Sequence, residues 1–319
     1  MCNNIEHLYC LTRRLGGFDN AYVRVRMHAY NPKIEVPMSS KRIKLKHLAR
    51  VYIFFIRKGG SAKTTSAVNF AAALAYRFGR KVLLIDLDPQ ANATSHMGIN
   101  PRGITKSVNT LFTTIGVDPR EVINPVQFNM KGKAIQIHMM PATRDLDETD
   151  LSMKATQVGM FKPIIEALGN DYDDIVIDTR PTRSLLTISA LVSATHGVIP
   201  MEAGVFALDA LEDSLDDYTN VKRGLNPGLK LVGVLPTRVR ESTNLSGDIL
   251  GNASNKHDQY LIRYPDVKDG QKIERVLYIR DSVKMGEAPA YGLPGIAYEP
   301  NNVAAQDYIK LAEVLHAQA

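Results

Sequence analysis

A doubly wound α/β fold, with a mostly parallel sheet and helices on both faces, is what this sequence predicts, and three observations predict it. Short, nearly continuous apolar runs rich in β-branched residues alternate with helical stretches, as strands buried on both faces do. A glycine-rich turn joins the first strong run to an alanine-rich segment. The chain of 319 residues, 45% hydrophobic and 23% charged, is also long enough for one large core, since single cores stop growing near ~250–300 residues.

The first 50 residues show no sustained helical or strand period. They hold ten of the 39 basic residues against Glu6, Asp19 and Glu35, which leaves 29 basic and 30 acidic residues downstream. The whole excess of the +6 net charge is therefore N-terminal. Residues 1–49 read as a basic extension and 50–319 as the α/β domain. Three readings of the extension stand side by side: an arm that adds phosphate contacts, a solvated tail, or residues upstream of the true start. An arginine-rich organellar leader is a weaker fourth. The two cysteines, Cys2 and Cys10, lie in this segment, so residues 51–319 offer no thiol ligand, disulfide or cysteine nucleophile, and a reducing cytoplasm fits. No window approaches the ~18 apolar residues of a spanning helix.

From residue 50 the elements follow in order. "RVYIFFI" (50–56), "KVLLIDLD" (81–88), "IQIHMMP" (135–141), "DDIVIDT" (173–179), "HGVIPM" (196–201) and "LKLVGVLPT" (229–237) each read as a buried strand. After the first, "IRKGGSAKTTS" (56–66) precedes Val68, Ala71, Ala72, Ala75 and Phe78 at three- and four-residue spacing, with Leu74 widening the stripe and Gly79 as a left-handed stop.

A strand entering a glycine-rich turn and then a helix directs backbone N–H groups and the positive helix end at one point, which suits an anion. Gly59 and Gly60 are expected to supply the positive φ angles. Lys63 stands where an ammonium reaches β- and γ-phosphates, and Thr64 where a hydroxyl meets Mg²⁺. The same letters also fit a plain Gly-Gly turn with a surface lysine. Asp86, Asp88 and Asp178 favour the first reading, because carboxylates at the ends of parallel strands gather beside such a loop. Each alone could equally cap its own turn.

These segments resemble a known family. "KGGSAKTT" matches the deviant Walker A pattern K-G-G-x-x-K-[ST]-[ST] of the ParA/MinD class of P-loop ATPases. "VLLIDLDPQANAT" is similar to the ParA Walker A′ segment, and "DDIVIDTRP" to a Walker B segment that usually ends D-x-P-P. "GEAPAYGLPGIAYEPNNVAAQDYIKLAEVL" resembles the C-terminal ParA stretch. The likeness spans roughly 51–316. It implies ATP and Mg²⁺ as cofactors, with Lys58, Gly59, Gly60, Ser61, Ala62, Lys63, Thr64 and Thr65 around the nucleotide; Thr237 and Arg238, where the last strand ends, are the candidates near the adenine. Lys58 would be the signature lysine that reaches the nucleotide of a second subunit. Lys63 would be the Walker lysine, Asp88 the residue orienting the attacking water, and Thr64, Asp86 and Asp178 the metal's surroundings. Two departures stand out. Ala62 replaces a commoner glycine, and Arg180 stands where proline is usual.

The resemblance further implies a partitioning ATPase that dimerises on ATP, binds double-stranded DNA without sequence preference, and answers to a ParB-like centromere-binding partner at the nucleoid in the cytoplasm. Arg238, Arg240, Arg280 and Lys284 fall where the family places basic residues, but Ser242 replaces the usual arginine. Such cations serve phosphates, so binding should weaken with salt. A MinD-like membrane-positioning ATPase is less favoured, because "DYIKLAEVLHAQA" lacks the bulky, basic face of a membrane helix. An electron-transferring iron protein would need cysteines that residues 51–319 lack. A nucleotide-switched DNA-binding regulator is the non-enzymatic alternative.

Overall fold

The computed structural model describes residues 49–202, 207–240, 258–268 and 270–318. The expectations for residues 1–48 and for Ser242 lie outside them.

Seven strands form one sheet in the order β3-β4-β2-β5-β1-β6-β7. They are β1 (Arg50–Phe54), β2 (Val82–Leu87), β3 (Asn124–Met130), β4 (Lys133–Met140), β5 (Asp174–Thr179), β6 (His196–Glu202) and β7 (Lys230–Thr237). All pairings are parallel except β3 with β4. The six expected strands are all present. The edge strand β3 was not expected, nor was the antiparallel hairpin of β8 (Arg263–Lys268) and β9 (Gln271–Val276).

The α-helices are α1 (Lys63–Phe78), α2 (Asn92–His96), α3 (Thr110–Thr113), α4 (Leu146–Ser152), α5 (Phe161–Leu168), α6 (Leu185–Ser193), α7 (Ala207–Gly224), α8 (Val283–Glu287), α9 (Gly295–Tyr298) and α10 (Val303–Ala317). Strand alternation divides the core into two layers. Val51, Ile53, Leu83, Ile85, Ile175 and Ile177 face one way and pack with residues of α5, α6 and α7. Tyr52, Phe54, Val82, Leu84 and Val176 face the other way and pack with α1 and α10. This two-sided burial explains why the strands read as unbroken apolar runs.

Helix α1 ends as its sequence indicates. Gly79 takes φ 64° and its N–H bonds the Ala75 carbonyl at 3.0 Å, a left-handed stop. The alanines of α1 allow close approach by α10, whose Tyr308 hydroxyl meets the Ser66 hydroxyl at 3.2 Å. With Ala304, Ala305, Leu311, Ala312 and Leu315 also buried, α10 is a packing helix. Among the described residues, no helix is long and apolar enough to cross a membrane.

Candidate functional site

The loop Arg57–Ala62 leaves the carboxyl end of β1 between β5 and β6, where open parallel sheets present a ligand crevice. The loop borders a cleft of about 350 Å³, whose walls include Gly59–Thr65, Asp88, Asn92, His96 and Arg238. Lys63 opens α1 and is buried, so its ammonium is held close to the loop rather than spread into solvent. The left-handed positions of the turn are Gly60 (φ 77°) and Ala62 (φ 58°). The expectation for Gly59 is corrected, because its φ is not in the positive range and a Cβ there would touch nothing within 4 Å. Ala62 therefore adopts the backbone that glycine usually supplies, with its methyl group in place.

Second attachments fix the loop. The Thr237 hydroxyl, fully buried at the end of β7, donates to the Ser61 carbonyl at 3.1 Å. The Ser61 hydroxyl donates to the Lys58 carbonyl at 3.1 Å. Thr237 thus supports the loop from behind and is absent from the cleft wall, whereas Arg238, at φ 52°, lies on the wall with its guanidinium 3.5 Å from Glu202.

The three carboxylates converge but differ in what they touch. Asp86 and Asp178 are paired directly across β2 and β5. Asp86 accepts from the Asp88 amide at 3.0 Å, and from the Thr94 amide and hydroxyl at 2.8 and 2.7 Å. It organises the turn into α2, and its proximity to a cation would be through Asp178. Asp88 accepts from the Gln90 amide at 3.0 Å and faces the cleft. Both oxygens of Asp178 are buried without a hydrogen-bond partner of ordinary geometry. Burial raises the Asp178 carboxyl well above the usual range, while the Lys63 ammonium and the nearby Thr64 hydroxyl favour its charged form. Burial, then repulsion from Asp178, raises Asp86 likewise. A buried, unsatisfied acidic oxygen pair beside a hydroxyl and an ammonium fits a hard divalent cation.

His96, Asn92, Ser95 and Pro289 also line the cleft and were not singled out from sequence. His96 is kept neutral, lowered to about 4 by burial. The signal for the first three was their place in the helix after Asp88, but their residue types carry no specific chemistry.

The basic residues expected to meet DNA are engaged within the protein. Arg240 pairs with Asp281 at 2.6 Å and Lys284 with Glu287 at 2.9 Å, both partly exposed. The Arg280 guanidinium forks onto Asp307 of α10 at 2.6 and 2.9 Å, and its amide donates to the same carboxylate. That geometry ties the segment before α8 to α10. Arg180 bonds Asp147 at 3.0 Å and the buried Asp150 at 2.7 Å, which turns its charge toward α4.

A family model described as an AAA domain matches residues 49–231. The sporulation initiation inhibitor protein Soj of Bacillus subtilis is 33% identical over 264 residues, covering 82% of this chain and 96% of that protein. The chromosome-partitioning ATPase Soj of Thermus thermophilus is 33% identical over 265 residues, 82% and 93% of the two chains. Among solved structures, cobyrinic acid a,c-diamide synthase from Mycobacterium smegmatis with bound ATP analog and magnesium superposes with TM-score 0.67 at 26% identity, covering 85% of this chain and 96% of that one. The loop, the three strand-end carboxylates and this extended likeness agree: the chain belongs to the ParA/Soj family of partitioning ATPases.

Proposed function

We propose that the chain hydrolyses ATP with Mg²⁺ to drive DNA partitioning, closing as an ATP-bound dimer on nonspecific duplex DNA at the nucleoid and releasing it when a ParB-like partner stimulates turnover. The carrying observation is the buried Asp178 carboxylate, without a hydrogen-bond partner of ordinary geometry, beside Lys63 and Thr64, which line the cleft that the glycine loop borders. In this reading Lys63 binds the β- and γ-phosphates, and loop amides from Gly59 to Thr65 surround them. Thr64 and Asp178 hold the metal, with Asp86 behind. Mg²⁺ held there would supply positive charge that offsets the charge of the phosphates. Asp88 orients the attacking water, and Lys58 reaches the nucleotide of a second subunit as an added cation. Arg238, on the cleft wall, sits toward the base.

For DNA, Arg240 and Lys284 can exchange Asp281 and Glu287 for phosphates, since exposed pairs hold weakly. Arg280, partly exposed and paired with Asp307, joins them in the same reading. The test is steady-state ATP turnover and binding to random duplex DNA. Lys63→Ala and Asp88→Ala should each lower turnover on the order of 100-fold or more, and ATP should tighten DNA binding that high salt then weakens. Wild-type turnover in both variants would sink the hydrolytic assignment. DNA affinity indifferent to ATP would sink the DNA reading.

A further inference from the structure

Arg57 fills the position at which an ordinary phosphate loop has its first glycine, and its side chain points away from the cleft. Its guanidinium forks onto Asp217 of α7, Nε to Oδ2 at 2.6 Å and Nη2 to Oδ1 at 2.5 Å. Asp213, one turn earlier, lies 3.4 Å from Nη1. The Arg57 backbone N–H donates to the Ser214 hydroxyl at 3.1 Å, and that hydroxyl donates to the Ala210 carbonyl at 2.6 Å. Ser214 and Asp217 are buried and lie three residues apart on one face of α7. One helix therefore grips both the backbone and the side chain of the residue preceding Lys58. Asp217 also receives a weaker contact from Arg183 at 3.6 Å.

A partly buried planar fork fixes direction as well as charge. Two cations in sequence, Arg57 and Lys58, would otherwise compete for the same phosphates, and Asp217 removes the first from the cleft. With Ser61 pinned by Thr237 at the other end, the peptide carrying Lys58 is held at both sides. We propose that Asp217 is a positioning residue for Lys58, acting through Arg57, so that α7 sets where the Lys58 ammonium can reach. The proposal rests on the role given to Lys58 above.

The experiment compares ATP turnover by the full chain with Mg²⁺ and duplex DNA in wild type, Asp217→Asn, Arg57→Gln, the double variant and Arg183→Gln, together with hydrogen exchange of the nucleotide-free proteins. Asp217→Asn and Arg57→Gln should each lower kcat roughly 10- to 100-fold with KM for ATP within about twofold, as loss of positioning does. The double variant should match the stronger single, amides 57–60 should exchange faster in both singles, and Arg183→Gln should change kcat by less than about twofold. Unchanged kcat in the singles, multiplicative losses, a KM that rises in step, or the same loss in Arg183→Gln would each overturn the proposal. Should Asp217→Asn not fold, Arg57→Gln and Arg57→Lys decide it, the lysine retaining part of the lost rate. Turnover that survives Lys63→Ala would instead defeat the ATPase reading, and hydrogen exchange at 57–60 would still judge the Asp217 link.

Discussion

Two alanines, Ala62 and Ala91, take left-handed backbone angles just before α1 and α2, where a Cβ costs roughly 1–2 kcal/mol. At Ala62, glycine would relieve that strain but add unfolded-state freedom worth roughly 0.5–1 kcal/mol. Ala62→Gly should therefore be neutral to stabilising by about 1 kcal/mol, read from the midpoint of urea unfolding. A clearly lower midpoint would show that the methyl group packs favourably in the turn. Sequence pattern singled out Lys63, Thr64, Asp88 and Asp178 as candidates because phosphate chemistry restricts which residue types can stand at those spacings, and the family resemblance added Lys58. Asp217 was invisible to the same reading, since 160 positions separate it from Arg57 and an acidic residue on an amphipathic helix is unremarkable until its partner is known. The fork of Arg280 onto Asp307 was likewise not legible in the sequence, since each residue alone reads as ordinary surface charge.

Helix α1 was legible because its apolar stripe, its glycine stop and the preceding loop all agree. Strand β3 was not. "NPVQFNM" opens with Asn-Pro and is buried mainly at Phe128 and Met130, so a one-sided edge strand left only a faint alternation. The hairpin β8–β9 is similarly exposed along β9. One link between α1 and the C-terminal elements is a buried side-chain amide. Asn69 donates to the Thr65 carbonyl at 2.8 Å and accepts from the Ile296 amide at 2.9 Å. Asn69→Ala leaves the Ile296 N–H buried without its acceptor and should cost about 1–3 kcal/mol, measured as a lowered urea midpoint with α1 still formed by circular dichroism. A cost near zero would mean that α9 does not depend on this bond.

Across the whole molecule, the facing carboxyls of Asp86 and Asp178 link stability to pH. Burial raises both, toward about 7 and about 6, from an ordinary value near ~4. The folded state then binds more protons than the unfolded state between roughly pH 4 and 7, so this contribution is present at low pH and lost as pH rises through that window. His96 and His196, each lowered to about 4 chiefly by burial, act in the opposite sense as pH falls below about 6.5. The comparison with Asp178→Asn separates the two effects: its Tm advantage over the nucleotide-free wild type should widen from pH 5 to 7.5. A constant difference would refute the carboxyl contribution. The same molecule carries a constraint on its synthesis. The alanine-rich face of α1 is covered by α10, made more than 200 residues later, so a nascent chain that has completed every strand of the main sheet still presents that face to solvent. Ser66 meets Tyr308 only once α10 has emerged, and the phosphate loop's own helix is among the last parts of the fold to be sealed.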